Sequence, residues 1–124
     1  MTRGRLLVRA WELAEPIAEM RGIVQHFLRE PGGICDFESL SPGLVSHIKI
    51  VCLRRLRCSL AEIGCELANE IDEMRIIASS KEISRELWLC SPRYAFRFIR
   101  VLDSALAELG RDGTLFPATG PVLH

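Results

Sequence analysis

Arg93, Arg97 and Arg100 lie four and three residues apart. On a helix that spacing sets three guanidinium groups on one face. A guanidinium is a planar fork of donors that matches phosphate and carboxylate oxygens. Tyr94, Phe96 and Phe98 interleave with these arginines, as aromatic rings do where they stack on exposed bases. Arg93, Tyr94, Arg97 and Arg100 are therefore candidate nucleic-acid contacts, whose binding would fall steeply with salt. A second set is acidic. Glu62, Glu66 and Glu73 are candidate contacts to a basic protein partner, including another copy of the chain, or internal partners for those arginines.

Other chemistry finds no constellation. The chain has no Gly-x-Ser-x-Gly, no His-Glu-x-x-His and no Gly-Lys-Ser/Thr loop, so no enzyme is expected and no catalytic residue is assigned. Gly32-Gly33 lacks the preceding strand that a phosphate loop requires. Cys52 with His47 or His26 would make a thiol–imidazole pair only if the fold joined them. Neither His26 nor His47 has an acidic residue three positions before it, which excludes the usual di-iron pattern. No two of Cys35, Cys52, Cys58, Cys65 and Cys90 are two to four residues apart, against the spacing of structural zinc sites. No metal, cofactor or small-molecule substrate is expected.

Composition sets the frame for these sets. The chain has 124 residues, 48% hydrophobic and 26% charged, with a formal net charge of zero. That is the composition of one globular domain. A nucleic-acid binder is usually basic, so the reading needs segregated charge, and the charge is segregated. Residues 31–58 carry Lys49, Arg54, Arg55 and Arg57 against Asp36 and Glu38. Residues 59–80 carry Glu62, Glu66, Glu70, Asp72 and Glu73 against Arg75 alone. An odd number of cysteines beside apolar neighbours reads as free thiols in a reducing compartment, hence a cytoplasmic location. Arg9 and Glu12 interrupt any apolar run near the start, which is unlike a secretory signal, and no window is apolar enough to span a membrane.

The elements that would position these residues read as helices. Leu13, Ile17, Met20, Val24 and Phe27 form one apolar stripe, giving a first helix from Arg5 to about Arg29, kinked at Pro16 and stopped by Pro31-Gly32-Gly33. Ser41-Pro42 then opens a second helix over Gly43 to Arg57, apolar on nearly all sides. Its β-branched cluster Ile48 to Val51 is compatible with a strand as well. Ser59 and Glu62 have capping-box spacing and start a third helix whose stripe runs from Leu60 to Ala78. Ser79 with Glu82, and Ser91 with Pro92, repeat these start signals for a fourth helix ending near Leu89 and a fifth from Pro92 to Leu109. Gly110 would stop the fifth. Residues 1–110 thus form a single helical domain and 111–124 a loose tail pinned by Leu115 and Phe116.

A short capped helix, a turn around Cys90 and a longer arginine-bearing helix resemble the helix-turn-helix superfamily of DNA-binding regulators over residues 79–110. Trp88 or Leu89 stands where that family usually has glycine, and Tyr94 where it has a small aliphatic residue. The resemblance implies an all-α bundle of about five helices and a regulator whose last helix meets nucleic acid. The alternative is a helical protein–protein interaction module or adaptor, dimeric, with no nucleic-acid binding and no catalysis.

Overall fold

In a computed structural model, which describes residues 2–26 and 35–116, the chain forms a six-stranded mixed sheet with helices on both faces. Helix α1 is Thr2–Arg21; strands β1, β2 and β3 are Ile23–His26, Phe37–Ser41 and Leu44–Cys52. Helices α2 (Leu60–Glu66) and α3 (Ala68–Met74) lead to β4 (Ile83–Cys90), β5 (Phe96–Val101) and β6 (Leu106–Leu109). Spatial order follows chain order from β1 to β6. Every neighbouring pair is antiparallel except β3 and β4, which are parallel. A parallel pair needs a crossover, and α2–α3 is that crossover.

Strand alternation builds two cores. Ile48, Ile50, Trp88, Cys90 and Phe98 pack under α1 with Ala10, Ala14, Ile17 and Ala18. The alternate residues Leu87, Leu89, Ile99 and Val101 pack against Ile63, Leu67, Ile71 and Met74 of α2–α3. Alanines on the buried face of α1 have little side-chain bulk to hold the helix off the sheet. The second helix pair begins as the sequence demands. The Ser59 hydroxyl accepts from the Glu62 amide, and the Glu62 carboxylate accepts from the Ser59 amide.

The all-α bundle of about five helices is overturned: the described residues form a six-stranded mixed sheet with three helices. The expected second helix is β3, as its β-branched cluster allowed. The expected fourth and fifth helices are β4, β5 and β6, so residues 79–110 contain no helix-turn-helix. The reason is burial. Strand β4 lies between β3 and β5 with helices on both faces, so every residue from Ser84 to Cys90 is buried. A strand covered on both sides loses the polar–apolar alternation that marks strands. Ile83 and Leu87, four apart, share a face in a strand as well as in a helix. Ser91-Pro92 opens a hairpin turn rather than a helix. Helix α1 runs through Pro16 and ends at Arg21. Val24, assigned to its stripe, is in β1, and Met20 is 81% exposed. The third helix is broken at Leu67. Phe27, Arg29 and the Pro31-Gly32-Gly33 stop lie outside the described residues, as do 117–124. Residues 111–116 turn back on β6, where the Phe116 amide donates to the Glu108 carbonyl.

Candidate functional site

The strand geometry separates the predicted arginine face. Phe96, Phe98 and Arg100 alternate with Arg97, Ile99 and Val101, so Arg97 points to the α2–α3 side and Arg100 to the α1 side. Arg93 is not on β5 but in the turn before it. Arg97 makes a fork on Glu108, with Nε and Nη2 each 2.8 Å from a carboxylate oxygen. Its Nη1 donates to the carbonyls of Leu56 and Cys58, both at 2.7 Å. The Glu108 hydrogen bond raises the Arg97 pKa further above its ordinary value. Arg100 donates through Nη2 to the Ser80 carbonyl. None of these arginines pairs with Glu62, Glu66 or Glu73 among the described residues. Glu62 is held in its cap, and the hydrogen bonds from the Ser59 amide and hydroxyl lower its pKa. Glu66 and Glu73 are exposed on α2 and α3.

What Arg97 holds is a loop of other arginines. Cys52 lies beside Cys90, and the Leu53 amide donates to the Cys90 carbonyl at 2.9 Å. The segments that leave β3 and β4 therefore start side by side at the carboxyl ends of the parallel pair. The first carries Arg54, Arg55 and Arg57; the second carries Arg93. All four are exposed, and none makes an ion pair with a described residue. No acidic side chain interrupts residues 53–58. In mixed α/β sheets the carboxyl ends of parallel strands are the usual ligand-binding edge.

Tyr94 completes this end. The Tyr94 amide donates to the Ser91 carbonyl at 2.8 Å, and the Ser91 amide donates to the Ala95 carbonyl at 3.0 Å. The Ser91 hydroxyl accepts from the amides of Arg93 and Ala95. This three-residue hairpin loop closes through a left-handed residue, a place normally held by glycine. Here it is Tyr94, at φ +63°. A bulky residue in that region carries strain of about 1–3 kcal/mol and often marks a functional site. The result is a tyrosine 38% exposed beside Arg93, with the Arg9 guanidinium 6.0 Å from its ring centroid.

No family model, curated sequence or solved structure matches the chain.

The cysteines offer less chemistry. Cys52 and His47 stand on opposite faces of β3, by the parity of their positions, so that thiol–imidazole pair is not assembled. Cys35 instead lies 4.0 Å from His47 Nδ1, which is also 3.1 Å from Glu38. Burial, then Glu38 and Asp36, push the Cys35 thiol up to about 11. A thiol held protonated is a poor nucleophile at neutral pH. Burial and then Cys52 likewise push Cys90 up to about 11. Among the described residues no group of three or more His, Cys, Asp or Glu side chains is arranged to hold a metal, and no helix is long and apolar enough to cross a membrane.

Of the predicted contacts, Arg93 and Tyr94 come together in the β4–β5 turn, Arg97 holds the separate loop at residues 56–58, and Arg100 stands apart on the other face. The arginines that sequence reading passed over as a site are Arg54, Arg55 and Arg57. Their signal was present as an acid-free basic cluster in residues 53–58.

Proposed function

We propose that this chain is a non-catalytic binding protein that grips single-stranded nucleic acid with the carboxyl ends of β3 and β4. The observation that carries the reading is the strained Tyr94 next to Arg93, on the segment that leaves β4 alongside the one carrying Arg54, Arg55 and Arg57; all four arginines are exposed without an ion-pair partner among the described residues. Arg54, Arg55, Arg57 and Arg93 supply phosphate contacts, and Tyr94 supplies a ring for an unstacked base. Arg97 is a positioning residue that fixes the arginine loop through the Leu56 and Cys58 carbonyls. A neutral total charge does not oppose this, because none of the acidic side chains of α2 and α3 pairs with these four arginines among the described residues.

The test is a titration of the full chain with a labelled oligonucleotide of mixed sequence, single-stranded and duplex, across a range of salt. Single strands should bind more tightly than duplex. The salt slope should be about −3, as expected for four neutralised phosphates on a single strand. An Arg54→Glu/Arg55→Glu variant should bind at least ~10-fold more weakly. Absence of binding at low salt, or binding untouched by that variant, refutes the reading.

A second reading has one observation in its favour. Glu66 and Glu73 are exposed on α2–α3 while the arginine end is exposed on the same chain. Two copies could meet through these opposite charges. Salt-sensitive self-association, measured by sedimentation, would support that reading in place of nucleic-acid contact.

A further inference from the structure

A cavity of about 670 Å³ lies at the end of β3 opposite the arginine loop, between the end of α1, the β2–β3 hairpin and the 111–114 turn. That volume is in the range of sites for small organic molecules. Its charged walls are of two kinds. Arg21 is already matched, since it donates to Glu86 at 2.6 Å. Arg111 and Asp112 also line the cavity and are exposed, and neither makes an ion pair with the other or with any other described residue. Asp112 uses one oxygen, Oδ1, to accept from the amide and hydroxyl of Thr114. Those bonds, and to a lesser degree Arg21, lower its pKa, so the group is ionised at neutral pH.

The turn that carries these two charges is held in place. Arg21 donates to the carbonyls of Arg111 at 3.1 Å and Gly110 at 3.5 Å. Within the turn the Gly110 amide donates to the Thr114 carbonyl at 2.8 Å, and the Gly113 amide to the Gly110 carbonyl at 3.0 Å. Gly113 has φ +90°, and a Cβ there would stand 3.1 Å from the Arg21 guanidinium. A backbone fixed in this way lowers the ordering cost of binding.

The remaining walls set what a ligand must bring. Ser39 donates to the Ala18 carbonyl at 3.2 Å, and Ser41 to the Leu44 carbonyl at 3.4 Å. With their protons used, these two oxygens can only accept from a ligand. Met20, 81% exposed, and Leu44 supply apolar wall. A simple anion would meet Arg111 but also the ionised Asp112. A simple cation would meet Asp112 but also Arg111. A molecule with both charges satisfies both, and an ammonium brings the donors that the serine oxygens can accept.

We propose that this cavity binds a free α-amino acid with an apolar side chain. Its carboxylate pairs with the Arg111 guanidinium, its ammonium with the Asp112 carboxylate and the serine oxygens, and its side chain packs on Met20 and Leu44. This site is separate from the arginine end and does not rest on the nucleic-acid reading.

The probes are L-leucine, 4-methylpentanoate, which lacks the ammonium, and 3-methylbutylamine, which lacks the carboxylate. Each is titrated into the full 15N-labelled chain at neutral pH and matched ionic strength, and amide shifts are followed. L-leucine should give saturable shifts centred on residues 39–46 and 110–114, with a Kd on the order of 1 mM, as suits so small a ligand. Each analogue should bind at least ~5-fold more weakly, having lost a hydrogen-bonded charge. Arg111→Gln should weaken leucine binding at least ~5-fold and leave the amine bound no more weakly than before. Asp112→Asn, which keeps an acceptor for Thr114, should weaken leucine binding by a similar factor and leave the carboxylate bound no more weakly than before. Both positions are exposed, so both variants should fold. No saturable shift, shifts centred elsewhere, either analogue binding as tightly as leucine, or leucine binding unchanged in either variant would overturn the proposal.

Discussion

Two populations of arginine share this fold, and they differ in where their donors go. Arg21, Arg85 and Arg97 turn theirs inward. Arg85, 2% exposed, donates to the carbonyls of Val101 and Ile77 and to Asp103. Arg21 lies over Trp88, with its guanidinium carbon 4.8 Å from the ring centroid, and donates to Glu86. Arg54, Arg55, Arg57 and Arg93 end in solvent with no ion pair to a described residue. The same side chain thus staples loops to the sheet in one place and offers unused donors in another. A guanidinium serves both roles because its fork can take several acceptors at once. The lesson is that arginine spacing says little about contact with a partner until each donor has been traced.

The largest effect expected on stability comes from separating Arg21 and Glu86. Both side chains are buried, 8% and 2% exposed. Arg21→Met should destabilise the fold by about 3–5 kcal/mol, because a carboxylate is left buried without its counter-charge. Adding Glu86→Gln removes that charge and keeps an acceptor for Trp88, so the double variant should recover a substantial part of the loss. Urea denaturation of the single and double variants measures this. A double variant no more stable than Arg21→Met would show that Arg21 acts mainly through its stacking on Trp88.

Arg54→Glu/Arg55→Glu is the mirror experiment. Stability should change by no more than about 0.5 kcal/mol, as for other surface substitutions. Single-stranded oligonucleotide affinity should drop ~10- to 100-fold at low salt. A large loss of stability would mean that these arginines are structural, and the contrast between the two populations would fail.

Parts of this arrangement were legible in the sequence and parts were not. The Ser59–Glu62 box gave the start of α2 because capping is local: both partners lie within four residues and the geometry needs nothing from the rest of the fold. The stretch from Ile83 to Leu109 was not legible, because a strand covered on both faces carries no alternation, and Ile83/Leu87 spacing fits either element. Ser91-Pro92 fits a helix start, but the same pair opens a turn. Arg93 and Tyr94 entered the site for a reason that did not hold, since the helical face that grouped them with Arg97 and Arg100 does not exist. The basic loop at Arg54 to Arg57 was visible as charge, but its neighbour Arg93 is 36 positions on from Arg57. Only the parallel register of β3 with β4 brings them together.

Arg97→Lys probes the link between the two populations. Lysine keeps the charge and loses the fork, so it cannot hold Glu108 and the carbonyls of Leu56 and Cys58 together. Loss of one or two such hydrogen bonds should lower stability by about 1–2 kcal/mol. Hydrogen exchange of the residue 53–58 amides should quicken, and oligonucleotide affinity should fall several-fold although the net charge is unchanged. If affinity falls without faster exchange, Arg97 contacts the nucleic acid itself and its role as a positioning residue is wrong.

One effect expected on stability has the opposite sign. Tyr94 holds φ +63° in a turn where glycine would be unstrained. Tyr94→Gly should therefore raise stability, by about 1 kcal/mol, as strain is relieved and offset in part by the freer unfolded chain. Oligonucleotide affinity should fall ~5- to 100-fold through loss of a stacking ring. Tyr94→Phe keeps ring and strain alike, so neither quantity should move far. Thermal unfolding and the same oligonucleotide titration measure both. A more stable variant that binds as before would leave the strain at Tyr94 without a role in binding, and the arginines alone would then have to account for contact at this end of the sheet.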